Sequence, residues 1–349
     1  MPRGSSMKIG KISDTVLNRS ILRPLRQAGA AGDSAVFGED CAVFAPGSES
    51  FPAKMACSTV TGTVGGPFDR TMEMLFSQVL LNLYTAGARC RHLFLDFLLP
   101  EGQEEEKLKK QMEQAAKLCR RYEIKAEGGH TEVSRAVSRT VITLTGLGVP
   151  EPGEKGAVPK RESLSRGMEL VMAGWTGAAG TAVLASDMRD ELLERYPEAL
   201  LEAAVEMGNP DRILEAARAR NHFGVSVMHD VSQGGVFAAL WEMAERAGAG
   251  LEVDLKKIPI RQETIEICEY FDLNPYQLFG QGALLLGTER GAELAEKLES
   301  LSVEAAVIGR FTKERRRIIR NGEEIRYLDR PAQDELWRLA GEREARRQL

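Results

Sequence analysis

Gly224-Val225-Ser226-Val227-Met228-His229-Asp230-Val231-Ser232-Gln233-Gly234-Gly235-Val236 is the stretch whose reading decides the fold. Val225, Val227, Met228 and Val231 read as a short buried strand. His229, Asp230 and Ser232 sit where that strand releases the chain, and two glycines follow. From Val236 to Ala247 the apolar residues recur at helical spacing. A helix that opens behind a Gly-Gly turn presents free backbone N–H groups and the positive end of its dipole, which favours anions such as phosphates. Glu127-Gly128-Gly129-His130-Thr131-Glu132-Val133 repeats this logic upstream, with Lys125-Ala126-Glu127 as a short strand entering the first Gly-Gly turn. Together the two segments suggest a phosphate-handling enzyme with two related halves. Glycines also serve tight corners in any α/β protein, so a purely structural use of both turns stays open.

Working outward, helical periodicity marks residues 8–35, Glu104–Tyr122, Thr181–Arg195, Asn209–Phe223, Arg261–Tyr270, Ala292–Leu301 and Pro331–Arg347. Thr71–Ala88 is almost wholly apolar or small, the pattern of a buried helix. Strands are expected at Val36–Phe44, Met55–Thr61, His92–Leu98, Arg139–Val149, Met168–Ala173, Leu251–Leu255, Gly282–Gly287 and Ala305–Phe311. Asn321-Gly322 is a hairpin turn between two further short strands. The Pro-, Gly- and charge-rich run 150–166 is the best boundary. The expected division is an extension and helix over 1–35, an N-terminal domain over 36–150, a C-terminal domain over 167–315, and a hairpin with a helix over 316–349.

With 349 residues, 43% hydrophobic and 28% charged, the chain has the composition of a soluble protein large enough for two cores. Its net charge of −5 argues against nucleic acid or an acidic membrane as partner. The basic run Lys313–Arg317 reads as a solvated strand edge. Five cysteines, at 41, 57, 90, 119 and 268, include no CxxC pair and look like reduced core residues of a cytoplasmic protein. No apolar run reaches membrane-spanning length. Met1-Pro2-Arg3-Gly4-Ser5-Ser6 resembles a tag remnant, with Met7 as a natural start, although an ordinary N-terminus reads the same way.

Ser226–Gly248, Leu251–Cys268, Gly128–Val133 (GGHTEV) and Gly38–Phe44 (GEDCAVF) occur in an order and at domain sizes that resemble the aminoimidazole ribonucleotide (AIR) synthase superfamily. The branch it resembles most is that of the hydrogenase maturation factor HypE and its AIR-synthase-related relatives. The resemblance implies a two-domain α/β (α+β) fold. In it, the N-terminal sheet pairs across a homodimer to form a barrel, and a C-terminal α/β domain packs beside it. It also implies ATP with Mg2+ in a cleft between the domains, the γ-phosphate activating an amide-, formyl- or carboxyl-type oxygen of a small-molecule substrate. In the hydrogenase branch that substrate is a carbamoyl group on the protein's own C-terminal cysteine.

The resemblance carries roles onto particular positions. Asp40 is the expected metal ligand, and Glu132 a second acid able to hold a metal or orient a substrate. Gly38, Gly128, Gly129, Thr131, Gly234 and Gly235 are expected around the cofactor, and His130, Glu132, His229 and Asp230 at the reaction. His130 titrates in a range suited to proton transfer, and a hydrogen-bonded turn histidine is its plain alternative.

Several positions depart from the family pattern. Ser58 stands where a Thr-Asp-Pro motif carries its acid, and Leu83 where an Asn-Asp motif carries another. Serine is a poor magnesium ligand and leucine none. Gln233 replaces a glutamate and cannot act as a base. Gly280-Gln281-Gly282 replaces a Ser-Ser-Gly turn. The sequence ends Arg346-Arg347-Gln348-Leu349 where the hydrogenase factor has a Pro-Arg-Ile-Cys-like tail, with Cys268 the nearest cysteine, so carbamoyl transfer on its own terminal thiol is not expected. Three readings follow: an ATP-dependent enzyme with a partly degraded metal site, a non-catalytic dimeric scaffold or regulator, and a hydrogenase maturation factor that uses a thiol elsewhere.

Overall fold

The computed structural model describes residues 13–29, 38, 40–44, 55–64, 70–150, 167–209, 211–218 and 223–347. The first described run is α1 (Asp14–Leu17), a π turn (Asn18–Leu22) and α2 (Arg23–Gln27); the rest of the expected 8–35 helix lies outside the described residues. The first sheet holds β1 (Ala42–Phe44), β2 (Met55–Thr63), β3 (Ala88–Pro100), β4 (Lys125–Ser134) and β5 (Val141–Pro150), in the order β1-β2-β5-β3-β4. Helix α3 (Thr71–Thr85) separates β2 from β3, and α4 (Glu105–Tyr122) separates β3 from β4.

The second sheet holds β6 (Glu169–Ala173), β7 (Val227–Val231), β8 (Gly250–Asp254), β9 (Ala283–Thr288), β10 (Ala305–Thr312), β11 (Arg317–Asn321) and β12 (Glu324–Tyr327), in the order β12-β11-β8-β10-β6-β9-β7. Parallel pairing of β11 with β8 makes the Asn321-Gly322 hairpin a continuation of this sheet. Its helices are α5 (Ala178–Asp187), α6 (Arg189–Leu193), α7 (Glu198–Glu206), α8 (Asp211–Arg218), α9 (Gly235–Ala247), α10 (Gln262–Tyr270), α11 (Gly291–Ser300) and α12 (Glu335–Arg347). Two mixed sheets with helices against them give the expected mixed α/β class; β7, the turn and α9 form as the opening stretch predicts. Helix α7 has no counterpart in the sequence reading.

Helix α3 is apolar over most of its surface because most of it is enclosed, with Glu73, Met74 and Ser77 bordering open space. It packs on β2, β3 and β5 of the first sheet, and on β7 and α8 of the second half. Met72, Phe76, Leu81 and Leu83 are all at most 1% exposed, and one apolar cluster runs from them to Val171, Met228, Leu284 and Leu286 of the second sheet. At about 25 cal/mol per Å² of apolar surface, this shared helix is a principal cement between the two halves. Among the described residues no helix is long and apolar enough to cross a membrane.

The expected turn at Gly128-Gly129 is absent: β4 continues through both glycines as the edge strand beside β3, with a shift of register just before Gly128 that leaves Glu127 unmatched. The glycines are needed for packing. Gly129 has φ +150°, and a Cβ there would lie 1.8 Å from the Leu95 carbonyl oxygen of β3. At Gly128 the nearest atom to a Cβ would be Phe94 Cδ1, at 4.0 Å. Gly129→Ala should therefore cost about 2–4 kcal/mol of stability, and Gly128→Ala under about 1 kcal/mol. Denaturant midpoints of the two variants check this, and equal midpoints would contradict the packing assignment.

Candidate functional site

Strand β7 delivers His229 into the junction between the two halves. The imidazole Nδ1 lies 2.6 Å from Asp40 Oδ1, just before β1, and Nε2 lies 3.1 Å from Glu242 Oε2 on α9. The three side chains are 3%, 5% and 7% exposed. Burial alone would strip the charge from all three. For His229 it is outweighed by the two carboxylates, and its pKa is pushed up to about 10. For Asp40, burial opposes ionisation as well, but the His229 charge and contact, the Arg246 charge and the Thr85 hydroxyl together hold it below the usual carboxylate range. The cluster is an imidazolium between two carboxylates.

Gly38 seats the same segment. Its φ is +83°, and a Cβ would meet the Glu242 carbonyl oxygen of α9 at 2.8 Å. This glycine thus permits contact between two pieces of the chain, where the sequence suggested contact with a cofactor.

Beside Thr85, the buried Asn82 Nδ2 donates to Ser58 Oγ at 2.9 Å. Leu83 is fully buried and points toward Gly146 in the sheet core, whereas its neighbour Asn82 faces Ser58. Asn82 and Ser58 thus form a buried, neutral amide–hydroxyl pair.

Asp40, His229 and Asp230 offer ligand atoms that all lie within 4.8 Å of one another. Of the His229 ring nitrogens, Nε2 is hydrogen-bonded to Glu242, while Nδ1 and the Asp40 Oδ2 atom are buried without a hydrogen-bond partner among the described residues, so these donors suit a divalent cation. Glu132 lies elsewhere: β4 and β1 are opposite edges of the first sheet, with β2, β5 and β3 between, roughly 19 Å at ordinary strand spacing. Within one chain the structure does not bring Asp40 and Glu132 together.

The remaining predicted residues divide in two. His130, Thr131 and Glu132 are exposed on β4; His130 N donates to Asp96 Oδ1 at 2.7 Å, and its Nε2 is 3.2 Å from Glu132 Oε2. Gly234 and Gly235 are buried behind β7. The N–H end of α9, expected to face phosphate, is met by an internal carboxyl group: the N-cap Gly234 N donates to Asp334 Oδ2 at 2.6 Å, and Leu336 N of α12 donates to Asp334 Oδ1 at 2.9 Å. A Cβ on Gly235 would strike the Tyr276 carbonyl oxygen at 2.5 Å. Sequence reasoning missed both Asp334 and Glu242. Asp334 precedes α12 as an N-cap residue type, which was the available signal. Glu242 carried none beyond being a glutamate on the inner face of α9.

Open space at the junction lies to one side of this cluster, in a cleft of about 200 Å³ between α3, the end of α4, α5 and the end of α7. Arg70, Glu73, Ser77, Arg121, Tyr122, Glu206, Asn209 and Gln281 are its polar walls. Gln281 Nε2 donates to the Met74 carbonyl of α3 at 2.8 Å, so the Gly280-Gln281-Gly282 turn is tied to the first half.

Two family models match the chain. The AIR synthase related protein, N-terminal domain, matches residues 38–149, and the C-terminal domain of that family matches residues 165–320. A Methanocaldococcus jannaschii protein named for hydrogenase expression/formation is 27% identical over 262 residues, 73% of this chain and 73% of its own. The carbamoyl dehydratase HypE of Escherichia coli is 29% identical over 231 residues, 64% of this chain and 65% of its own. Among solved structures, a chain of a HypE–HypF complex has a TM-score of 0.69 at 21% identity, covering 89% of this chain and 100% of the other. HypE in complex with ATP has a TM-score of 0.64 at 20% identity, covering 95% and 98%.

Asp334 supplies a test of the closed helix end. Burial pushes its pKa up to about 7, against three backbone N–H groups that pull it down. A folded-state pKa above the unfolded value means stability that is present below about pH 4 and lost as pH rises through about 7. The stability of the wild type relative to Asp334→Asn should fall between pH 4 and pH 8. A pH-independent difference in denaturant midpoints would contradict this placement.

Proposed function

This chain belongs to the AIR synthase related protein family, and on that premise we propose that it binds ATP at the junction of its two halves and activates an amide- or carbonyl-type oxygen of a small molecule. Transfer of the γ-phosphate to such an oxygen turns a poor leaving group into phosphate, the chemistry that dehydration of a carbamoyl group needs. The observation that carries the reading is the cleft walled by Arg70 and Arg121 in a chain of this family. Both guanidinium groups are paired in the structure, Arg70 with Glu73 at 3.0 Å and Arg121 with Asp211, and they would take the phosphates of a nucleotide or an anionic group on the substrate in exchange for those carboxylates. Relatives named carbamoyl dehydratase and a family structure holding ATP support it.

Asp40 and Glu132 were the expected metal holders. In this reading a magnesium ion bound with the nucleotide would need only one or two protein acids beside the phosphate oxygens, which Glu73 and Glu206 of the cleft could supply. The neutral Ser58–Asn82 pair favours a second reading, a dimeric scaffold that has kept the fold without the chemistry. The dimer itself is proposed from the first sheet. β4 is an unpaired edge strand ten residues long with Val133 61% exposed, and Thr59–Thr145 and Thr61–Thr143 pair on an open face. A hydrogenase-maturation partner such as the HypF of the related complex is a weaker proposal. Of the chain's cysteines, Cys90 and Cys268 are deeply buried and their thiols are pushed up to about 12, which disqualifies both as carbamoyl carriers.

Calorimetric titration with ATP, with and without magnesium, tests the reading. Binding is expected, and Arg70→Ala or Arg121→Ala should weaken it roughly tenfold, the loss of one charge-assisted contact. No heat at millimolar ATP would favour the scaffold.

A further inference from the structure

On the reading that an anion enters the cleft, we propose that Asp211 is an internal competitor for it: the Asp211 carboxylate holds Arg121 and Tyr122 of α4, and a ligand that takes Arg121 breaks this contact between the two halves. Both carboxylate oxygens of Asp211 are engaged from α4, Oδ2 by Arg121 Nη2 and Oδ1 by the Tyr122 hydroxyl at 2.9 Å. Arg121 and Tyr122 border the cleft, so the contact stands at its wall. Asp211 opens α8 in the second half, 90 residues along the chain from Arg121. Glu73, the partner of Arg70, is only three residues from it on α3.

The two arginines therefore differ in what their release does. Freeing Arg70 turns side chains within one turn of α3. Freeing Arg121 detaches the start of α8 from the end of α4. The rest of α8 stays anchored, because Ile213, Leu214 and Ala217 are buried in the core shared with α3. Asn209 ties the start of α8 to the same space: it borders the cleft, and its Oδ1 accepts from Asp211 N at 3.1 Å. A carboxylate on Arg121 repels an arriving phosphate and occupies the donors that phosphate would use, so ligand binding and the α4–α8 contact oppose each other. The coupling is reciprocal: whatever draws α8 away frees Arg121 and tightens anion binding. The side chains of Arg121 and Asp211 are 52% and 37% exposed, so solvent screening limits the coupling to a modest factor.

Calorimetry on the full chain, with ATP and with pyrophosphate in the presence of magnesium, tests the coupling. Asp211→Asn keeps the size of the side chain and removes its charge, and should bind ATP roughly fivefold more tightly than the wild type. A merely structural role for Asp211 gives the opposite sign, since a loosened junction weakens binding. The gain should vanish in the Arg121→Ala background, where no guanidinium is left to release. In the wild type, ATP should speed amide hydrogen exchange in α8, and in Asp211→Asn it should leave that exchange unchanged. Equal or weaker ATP binding by Asp211→Asn, a gain that persists without Arg121, or slower exchange in α8 on adding ATP overturns the competition while the cleft reading stands. No binding of either anion to the wild type or to Asp211→Asn overturns both.

Discussion

The arrangement of the two halves depends on one buried electrostatic contact, an imidazolium held between two carboxylates at 3–7% exposure. Taking three charges out of water costs more than their attraction returns unless each is engaged. His229 satisfies that condition by its Nε2 hydrogen bond to Glu242 and by the Asp40 carboxylate 2.6 Å from Nδ1. Asp40 satisfies it through His229, the Arg246 charge and the Thr85 hydroxyl. Glu242 meets it from the inner face of α9. The consequence is geometric: the segment before β1, the end of β7 and the middle of α9 meet in a single way. Gly38 is the steric counterpart of the same constraint, since a side chain there would push α9 away.

The rest of the junction is built round that point. Helix α3 lies between the sheets, largely apolar, with Glu73 and Ser77 toward the cleft and Asn82 and Thr85 at its far end, the Thr85 hydroxyl facing Asp40. Gln281 ties the turn before β9 to the middle of α3. Asp334 closes the N–H end of α9 from the far side. These contacts fill the places that a phosphate-binding reading would leave open, and they move the available space to the cleft beside Arg70 and Arg121. Function, on this account, is to be sought along α3 and α5, away from the glycine turns themselves.

Local patterns were legible where one period dominates. The apolar run 71–88, the amphipathic run 104–122, the strand–turn–helix at 227–247 and the Asn321-Gly322 hairpin all form close to their expected bounds. Legibility failed where the deciding partner is far away in the chain. Nothing near Gly129 announces that the β3 backbone will lie against its Cα, so a strand was read as a turn. Leu83 and Asn82 are adjacent, and only the helix phase of α3 tells which faces Ser58. Asp40 could be picked out as a special carboxylate from its motif, but its partner His229 belongs to the other half, and no spacing rule links them. The membership of β11 in the second sheet is likewise set by its pairing with β8. The family resemblance supplied architecture, while the roles of individual residues needed the contacts.

The measurement that bears most directly on the account is a crystal structure of the full chain grown with ATP and Mn2+, with anomalous diffraction data recorded at the manganese edge. The account predicts nucleotide density in the cleft bordered by Arg70 and Arg121, a manganese peak on its phosphates, and Asp40 still beside His229. Nucleotide density elsewhere, with Asp40 and His229 apart, would contradict it.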